Sequence, residues 1–220
     1  MFYHISAKVN APKEVGKGYP QVHCLTQKEA AHRIMHDEFP DFLPDLRFEL
    51  NKGAKLSDLL SQAAISAHGI LISKRMKVWI EGFNLGRHAF YPAKVFTRNG
   101  EEHPYFFLHI LPVGAEAVDF PRTRFFLRKG LKNIGGLDVS SYDDYVNKEK
   151  EHGFMILIEP SHLVLNQGSH MQFDLFALPI PYGRILASEH LAKKLASVAF
   201  MGIECTPLTN VEVSPALADL

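Results

Sequence analysis

Cysteine is nearly missing from this chain, with Cys24 and Cys205 its only two. Two thiols so far apart in sequence make neither a disulfide framework nor a zinc-binding spacing, and they suit a reducing compartment. Their expected role is as small buried packing residues. Net charge is missing too: 24 Lys and Arg balance 24 Asp and Glu. No overall field therefore draws the chain to nucleic acid or to anionic lipid, and a charged partner must meet a local patch. No hydrophobic run reaches the length of a membrane span, and the first residues contain no apolar signal segment. These absences predict a cytoplasmic protein with no membrane partner.

Catalytic signatures are absent as well. There is no Gly-x-Ser-x-Gly elbow, no cysteine in an activating context, no phosphate cradle and no dinucleotide-binding glycine turn. Gly16, Gly18 and the glycines between 130 and 136 read as turn residues. Twelve histidines invite a metal reading, and His32 and His36 stand one helical turn apart. Arg33, however, occupies the place where a zinc protease needs its glutamate. Asp37 and Glu38 add carboxylates nearby, yet two imidazoles fit a solvated helix face better than a metal site. His103 and His109 fall on one face of a strand. The pairs Glu101-Glu102 and Asp143-Asp144 adjoin turn and polar-helix signals, too solvated for acid and base work. No catalytic residue, metal or cofactor is expected, and the chain reads as a binding protein.

What is present is a stretch from 69 to 95 around which the rest is arranged. Ile70, Leu71 and Ile72 form a short buried strand, and Ser73 offers its hydroxyl to the first amides of a helix. Met76, Trp79, Ile80 and Phe83 then make an apolar face, with Lys77 and Glu81 on the wet one. Asn84 and Gly86 end the helix, and an extended segment resumes around Pro92. The layout returns later: Ile185, Leu186 and Ala187 lead into Ser188, Leu191, Leu195 and Val198 make the stripe, and Gly202 and Pro207 follow. Counted from each serine, Met76 matches Leu191, Ile80 matches Leu195, Phe83 matches Val198 and Pro92 matches Pro207. Trp79 falls opposite Lys194. Either the chain holds an internal pseudo-repeat or two ordinary capped helices share one core.

Strands are expected at 2–8, 19–25, 46–50, 154–159, 163–166 and 172–178, and helices at 27–36, capped by Thr26, at 56–64, and from Ser140 or Ser141 to 150. Residues 95–111 read as a hairpin whose Asn99-Gly100 favours a type I′ turn. Residues 112–136 read as irregular, with Arg122, Arg124, Arg128, Lys129 and Lys132 among Phe120, Phe125 and Phe126. That basic, aromatic segment is the one patch suited to RNA or single-stranded DNA. Its arginines equally suit stems laid over a core. Lys74 and Arg75 stand in a helical first turn, where cations are disfavoured unless a carboxylate meets them. The fold class is α+β, mainly antiparallel strands with several short helices, arranged as one domain over 1–220 with halves at about 1–112 and 113–220.

The segments 55–60, 69–74 and above all 83–95, Phe-Asn-Leu-Gly-Arg-His-Ala-Phe-Tyr-Pro-Ala-Lys-Val, resemble the eleventh family of immunity proteins of bacterial polymorphic toxin systems. Residues 185–188 with their helix, and 202–208, are similar to that family's C-terminal unit. The resemblance implies a cytoplasmic, non-catalytic protein that binds and blocks a cognate toxin domain. Exposed charges are then the expected partner-binding residues: Glu101, Glu102, Asp143 and Asp144 against a basic toxin, and Lys74 and Arg75 against a partner's carboxylates. On the residues alone, a nucleic-acid binder using the 122–132 patch and an enzyme with a histidine and carboxylate site stay open. Nucleic acid is not the expected partner.

Overall fold

A computed structural model describes residues 1–153, 155–180 and 185–215 as an α+β chain dominated by strands. Its first part supplies β1 (Phe2–Ala7), β2 (Val22–Cys24), β3 (Leu46–Leu50) and β4 (Leu59–Leu60). The organising stretch follows as β5 (Gly69–Ser73), α1 (Lys74–Ile80) and β6 (His88–Phe96), with β7 (Glu102–Ile110) folding back beside it. The middle contains β8 (Arg124–Lys129), β9 (Lys132–Leu137), α2 (Tyr142–His152) and β10 (Leu157–Leu165). The last part is β11 (Leu175–Ala177), β12 (Ile185–Ser188), α3 (Glu189–Ala196), β13 (Ile203–Leu208) and β14 (Val211–Val213). Phe154, the expected start of a strand, lies outside the described residues.

Three sheets result, ordered β2-β3-β6-β7-β5-β4, β11-β12-β1-β13 and β14-β10-β8-β9. Most pairs are antiparallel, with β3–β6 and β10–β14 parallel. Alternation along the strands assigns the side chains to three apolar clusters. Ile70, Ile72, Leu108 and Ile110 of the six-stranded sheet meet Ile5, Leu175, Ile185 and Ala187 of the second, with Met76, Ile80, Leu191 and Leu195 from α1 and α3 filling the space. The opposite face of the six-stranded sheet, with Phe48, Tyr91, Val95 and Phe107, buries Ala30, Ala31 and Ile34. The opposite face of the second sheet, with Phe176 and Leu186, packs on the third sheet and on Tyr145 of α2.

The two strand-helix-strand units share one bonding pattern. Leu59 faces Ile72 in the first, and Leu175 faces Ala187 in the second, each one residue before the capping serine. Phe106 of β7 stands between Ile72 and Pro92, and Tyr3 of β1 stands between Ala187 and Pro207. Pro92 and Pro207 therefore correspond, as the count from the serines predicts. The N-terminal strand β1 supplies in the second sheet what β7 supplies in the first, so the opening residues pair with strands from the far end of the chain.

Several local expectations give way to longer-range bonds. Residues 27–36 form turns and a single 3-10 turn, Ala31–Arg33, not an α-helix. The Thr26 hydroxyl is engaged instead: it donates to the Asp45 carbonyl (2.6 Å) and accepts the Arg47 amide (3.2 Å). Ala30, Ala31 and Ile34 are buried as expected, whereas Met35 is exposed. Residues 56–64 hold β4 rather than a helix. Buried Gln21 donates to the Lys55 carbonyl and accepts the Ser61 amide, and Leu59 and Leu60 point into different clusters as strand neighbours must. In the β6–β7 hairpin, the Gly100 amide bonds the Thr97 carbonyl at 2.8 Å, which centres the turn on Arg98 and Asn99, not on Asn99-Gly100. Residues 124–137 form the β8–β9 hairpin, not an irregular segment. Helix α2 starts at its Ser141 cap as read from the sequence.

Candidate functional site

The most ordered polar arrangement lies where the two similar units meet. Ser73 and Ser188 have the same backbone angles, φ −66° and ψ 159°, and each hydroxyl accepts the amide three residues on, Met76 at 3.2 Å and Leu191 at 3.1 Å. Each also donates to an aspartate just ahead of the preceding strand: Ser73 to Asp58 at 2.8 Å and Ser188 to Asp174 at 2.7 Å. The second oxygen of each aspartate reaches into the other unit. Asp58 Oδ2 accepts the Met201 amide at 2.8 Å, and Asp174 Oδ2 accepts the Asn84 amide at 3.2 Å.

A basic side chain completes each group. Arg75 Nη2 lies 2.6 Å from Asp58 and also donates to the Ala199 carbonyl, and its guanidinium covers the Phe200 ring at 4.7 Å. In the second unit His190 Nδ1 lies 3.1 Å from Asp174, and its ring meets Phe83 at 5.6 Å. Trp79 contacts both Phe83 and Phe200. Phe200 thus stands in the place the sequence count gave to Val198, because the chain after α3 takes a longer path before rejoining the register at Pro207. Burial disfavours charge on Asp58, but Arg75, the Met201 amide and Ser73 together hold its pKa below the ordinary value. Asp174 is also lowered, with Ser188, His190 and the Asn84 amide outweighing burial. The carboxylates and hydroxyls are spent on one another and on backbone amides, so the arrangement anchors the two helices. Neither Asp58 nor Asp174 has a local role legible in the sequence; their similar distances before the two serines are the signal that relates them.

The expected partner-binding residues fall in three separate places. Glu101 and Glu102 lie at the exposed end of the β6–β7 hairpin, Glu101 beside His103 (3.5 Å) and Glu102 beside Lys94 (3.2 Å). Asp143 is exposed in the first turn of α2, while Asp144 accepts the Ser140 amide and pairs with Lys148. Lys74 is exposed, and Arg75 is the partner of Asp58. No hydrogen bond or ion pair among the described residues joins one of these groups to another.

Two of the five cations of the basic segment are paired within the chain, while Arg124, Lys129 and Lys132 are exposed. Arg122 pairs with Glu212 at 2.7 Å, and Arg128 makes a two-pronged contact with Glu159. Phe120 and Phe125 are buried and Phe126 is half-buried, so two of the three rings are withdrawn from any stacking surface. Among the described residues no group of three or more His, Cys, Asp or Glu is placed to hold a metal ion. His32 meets Gln27, and His36 meets the edge of His68. His109 is fully buried against Phe39, Tyr91 and Phe107. Burial drives its pKa down to about 4, His36 pushes the same way, and the Met35 carbonyl opposes them only in part. Burial also raises both cysteine thiols, which keeps them protonated.

A family model described as Immunity protein family (Imm11) matches residues 2–210. No curated protein matches the chain.

Proposed function

The chain belongs to the Imm11 family of immunity proteins, and from that membership we propose that it binds a cognate bacterial toxin domain in the cytoplasm and neutralises it by occlusion. The family match over nearly the whole chain carries this reading. Occlusion needs a rigid, complementary surface and no reaction centre. The two anchored units supply rigidity, because each aspartate fixes the loop leaving the other unit's helix. The whole chain is read as a single immunity-type domain, since β1 is hydrogen-bonded between β12 and β13. A stable complex of this kind buries on the order of 1,200–2,000 Å² in total. Among the described residues no helix is long and apolar enough to cross a membrane.

Of the charges expected to meet the partner, Glu101, Asp143 and Lys74 are exposed, and Glu102 is held only by a surface pair. Arg75 and Asp144 serve internal bonds and would contribute to an interface only through that framework. The experiment asks whether a toxin-like open reading frame lies immediately upstream, and induces its product with and without this chain. Growth arrest relieved by the chain supports the reading. An active toxin that is neither bound nor suppressed sinks it.

A further inference from the structure

The β8–β9 hairpin breaks two local rules, and nothing else in the described chain compensates. Its strands meet through the two-residue turn Gly130-Leu131, with Gly130 in the left-handed region at φ 58°. The register sets Lys129 directly opposite Lys132. Like charges facing each other across an antiparallel pair repel. The carboxylates Glu159 and Glu212 of the same sheet are already committed to Arg128 and Arg122, and neither lysine makes an ion pair among the described residues. Between the lysines Leu131 is 97% exposed, the most open large apolar side chain of the described residues.

Protection of a sheet edge explains part of this. The irregular register between Leu127 and Arg128 and the charge at Lys132 both discourage strand addition along β9. It does not explain a leucine held at the tip by a tight turn, nor a second lysine across from the first. Local rules are broken without internal return mostly where function requires it. The ligand is constrained by chemistry: two ammonium groups flanking one aliphatic side chain match carboxylates around an apolar recess. A nucleic acid would want a stacking ring, and this tip has none.

We infer that the tip Lys129-Gly130-Leu131-Lys132 is an interface anchor, with Leu131 entering an apolar pocket on the toxin domain and the two lysines pairing with carboxylates at its rim. This rests on the immunity reading above and adds the surface and the charge of the partner. A desolvated aliphatic anchor ringed by complementary charge fixes the complex and steers its approach.

The test measures binding of the purified, catalytically inactivated domain encoded by the open reading frame immediately upstream. K129E/K132E is expected to weaken Kd by about 100-fold at low salt and to flatten its salt dependence. L131D is expected to weaken it by about 30-fold. Both should melt as the wild type does, and Leu131→Ala replaces L131D should that variant fail to fold. Tip variants that bind within about threefold of wild type overturn the inference, as does loss caused by E101K or D143K but not by the tip. A tip that binds a fluorescent single-stranded oligonucleotide and leaves toxin binding unchanged overturns it too. Wild-type protein that does not bind the domain removes the immunity reading, and this inference with it.

Discussion

Asp58 and Asp174 are exchanged anchors. Each caps the helix of its own unit through a serine, and each accepts an amide from the chain leaving the other unit's helix. Removing either carboxylate leaves a backbone amide and a serine hydroxyl without their charged partner. Asp58→Ala and Asp174→Ala are each expected to cost about 2 kcal/mol or more. Ser73→Ala and Ser188→Ala are expected to cost about 1 kcal/mol each. Urea melts of the four variants check the order. Both aspartates have folded pKa values below the unfolded ones, so their contribution is complete above the ordinary carboxylate range and is lost as pH falls through the lowered values.

His109 sets a second pH dependence, at higher pH. Its folded pKa is about 4 and its unfolded value 6.5. Above pH 6.5 both states are neutral there and the residue contributes no slope. As pH falls from 6.5 to 4 the unfolded chain takes up the proton first, so stability decreases, by on the order of 3 kcal/mol across that window. His109→Phe, in a pocket already lined by Phe39, Tyr91 and Phe107, should remove most of this slope. Thermal melts at pH 7 and pH 5 for both proteins measure it.

Gly202 and Gly100 both have positive φ, 77° and 84°, but only one is crowded. A Cβ at Gly202 would collide with the Ser57 side chain and lie 2.9 Å from the Leu59 carbonyl, whereas Gly100 faces open space. Gly100→Ala should cost about 1 kcal/mol, the strain of a left-handed alanine. Gly202→Ala should cost several times that, about 3 kcal/mol or more, because backbone must move as well. Denaturant midpoints separate the two.

Met76 and Leu191 occupy matching places in the shared core, and both are fully buried. Truncating either to alanine opens a cavity between the two sheets and is expected to cost about 2–5 kcal/mol. The protein should stay folded with one truncation and fail with both, a result that circular dichroism at increasing urea concentration reports. Equal tolerance of the single and double truncations would mean that the two helices do not share one core.

The stretch 69–95 was legible because its signals are local. A buried strand, a serine cap and an apolar stripe need only neighbours in sequence, and the same signals exposed the second unit and the correspondence of Pro92 with Pro207. The helices expected at 27–36 and 56–64 failed for the opposite reason. Thr26 and the 55–61 backbone are claimed by Asp45, Arg47 and Gln21, whose proximity no window of sequence contains. The expectation of an irregular segment at 112–136 gives way likewise, because 124–137 pairs as a hairpin against β10, and Glu159 and Glu212 reach Arg128 and Arg122 only once β10 and β14 are in place.

By itself the sequence determined the helix caps, the apolar faces and the α+β composition, all set by short-range sterics and side-chain polarity. Tertiary structure alone decided that Asp58 and Asp174 cross-link the two units, that β1 completes the second sheet, and which charges remain unpaired at the surface. Hydrogen bonds and ion pairs between residues far apart in the chain exist only after the sheets have packed, so their partners cannot be read from spacing.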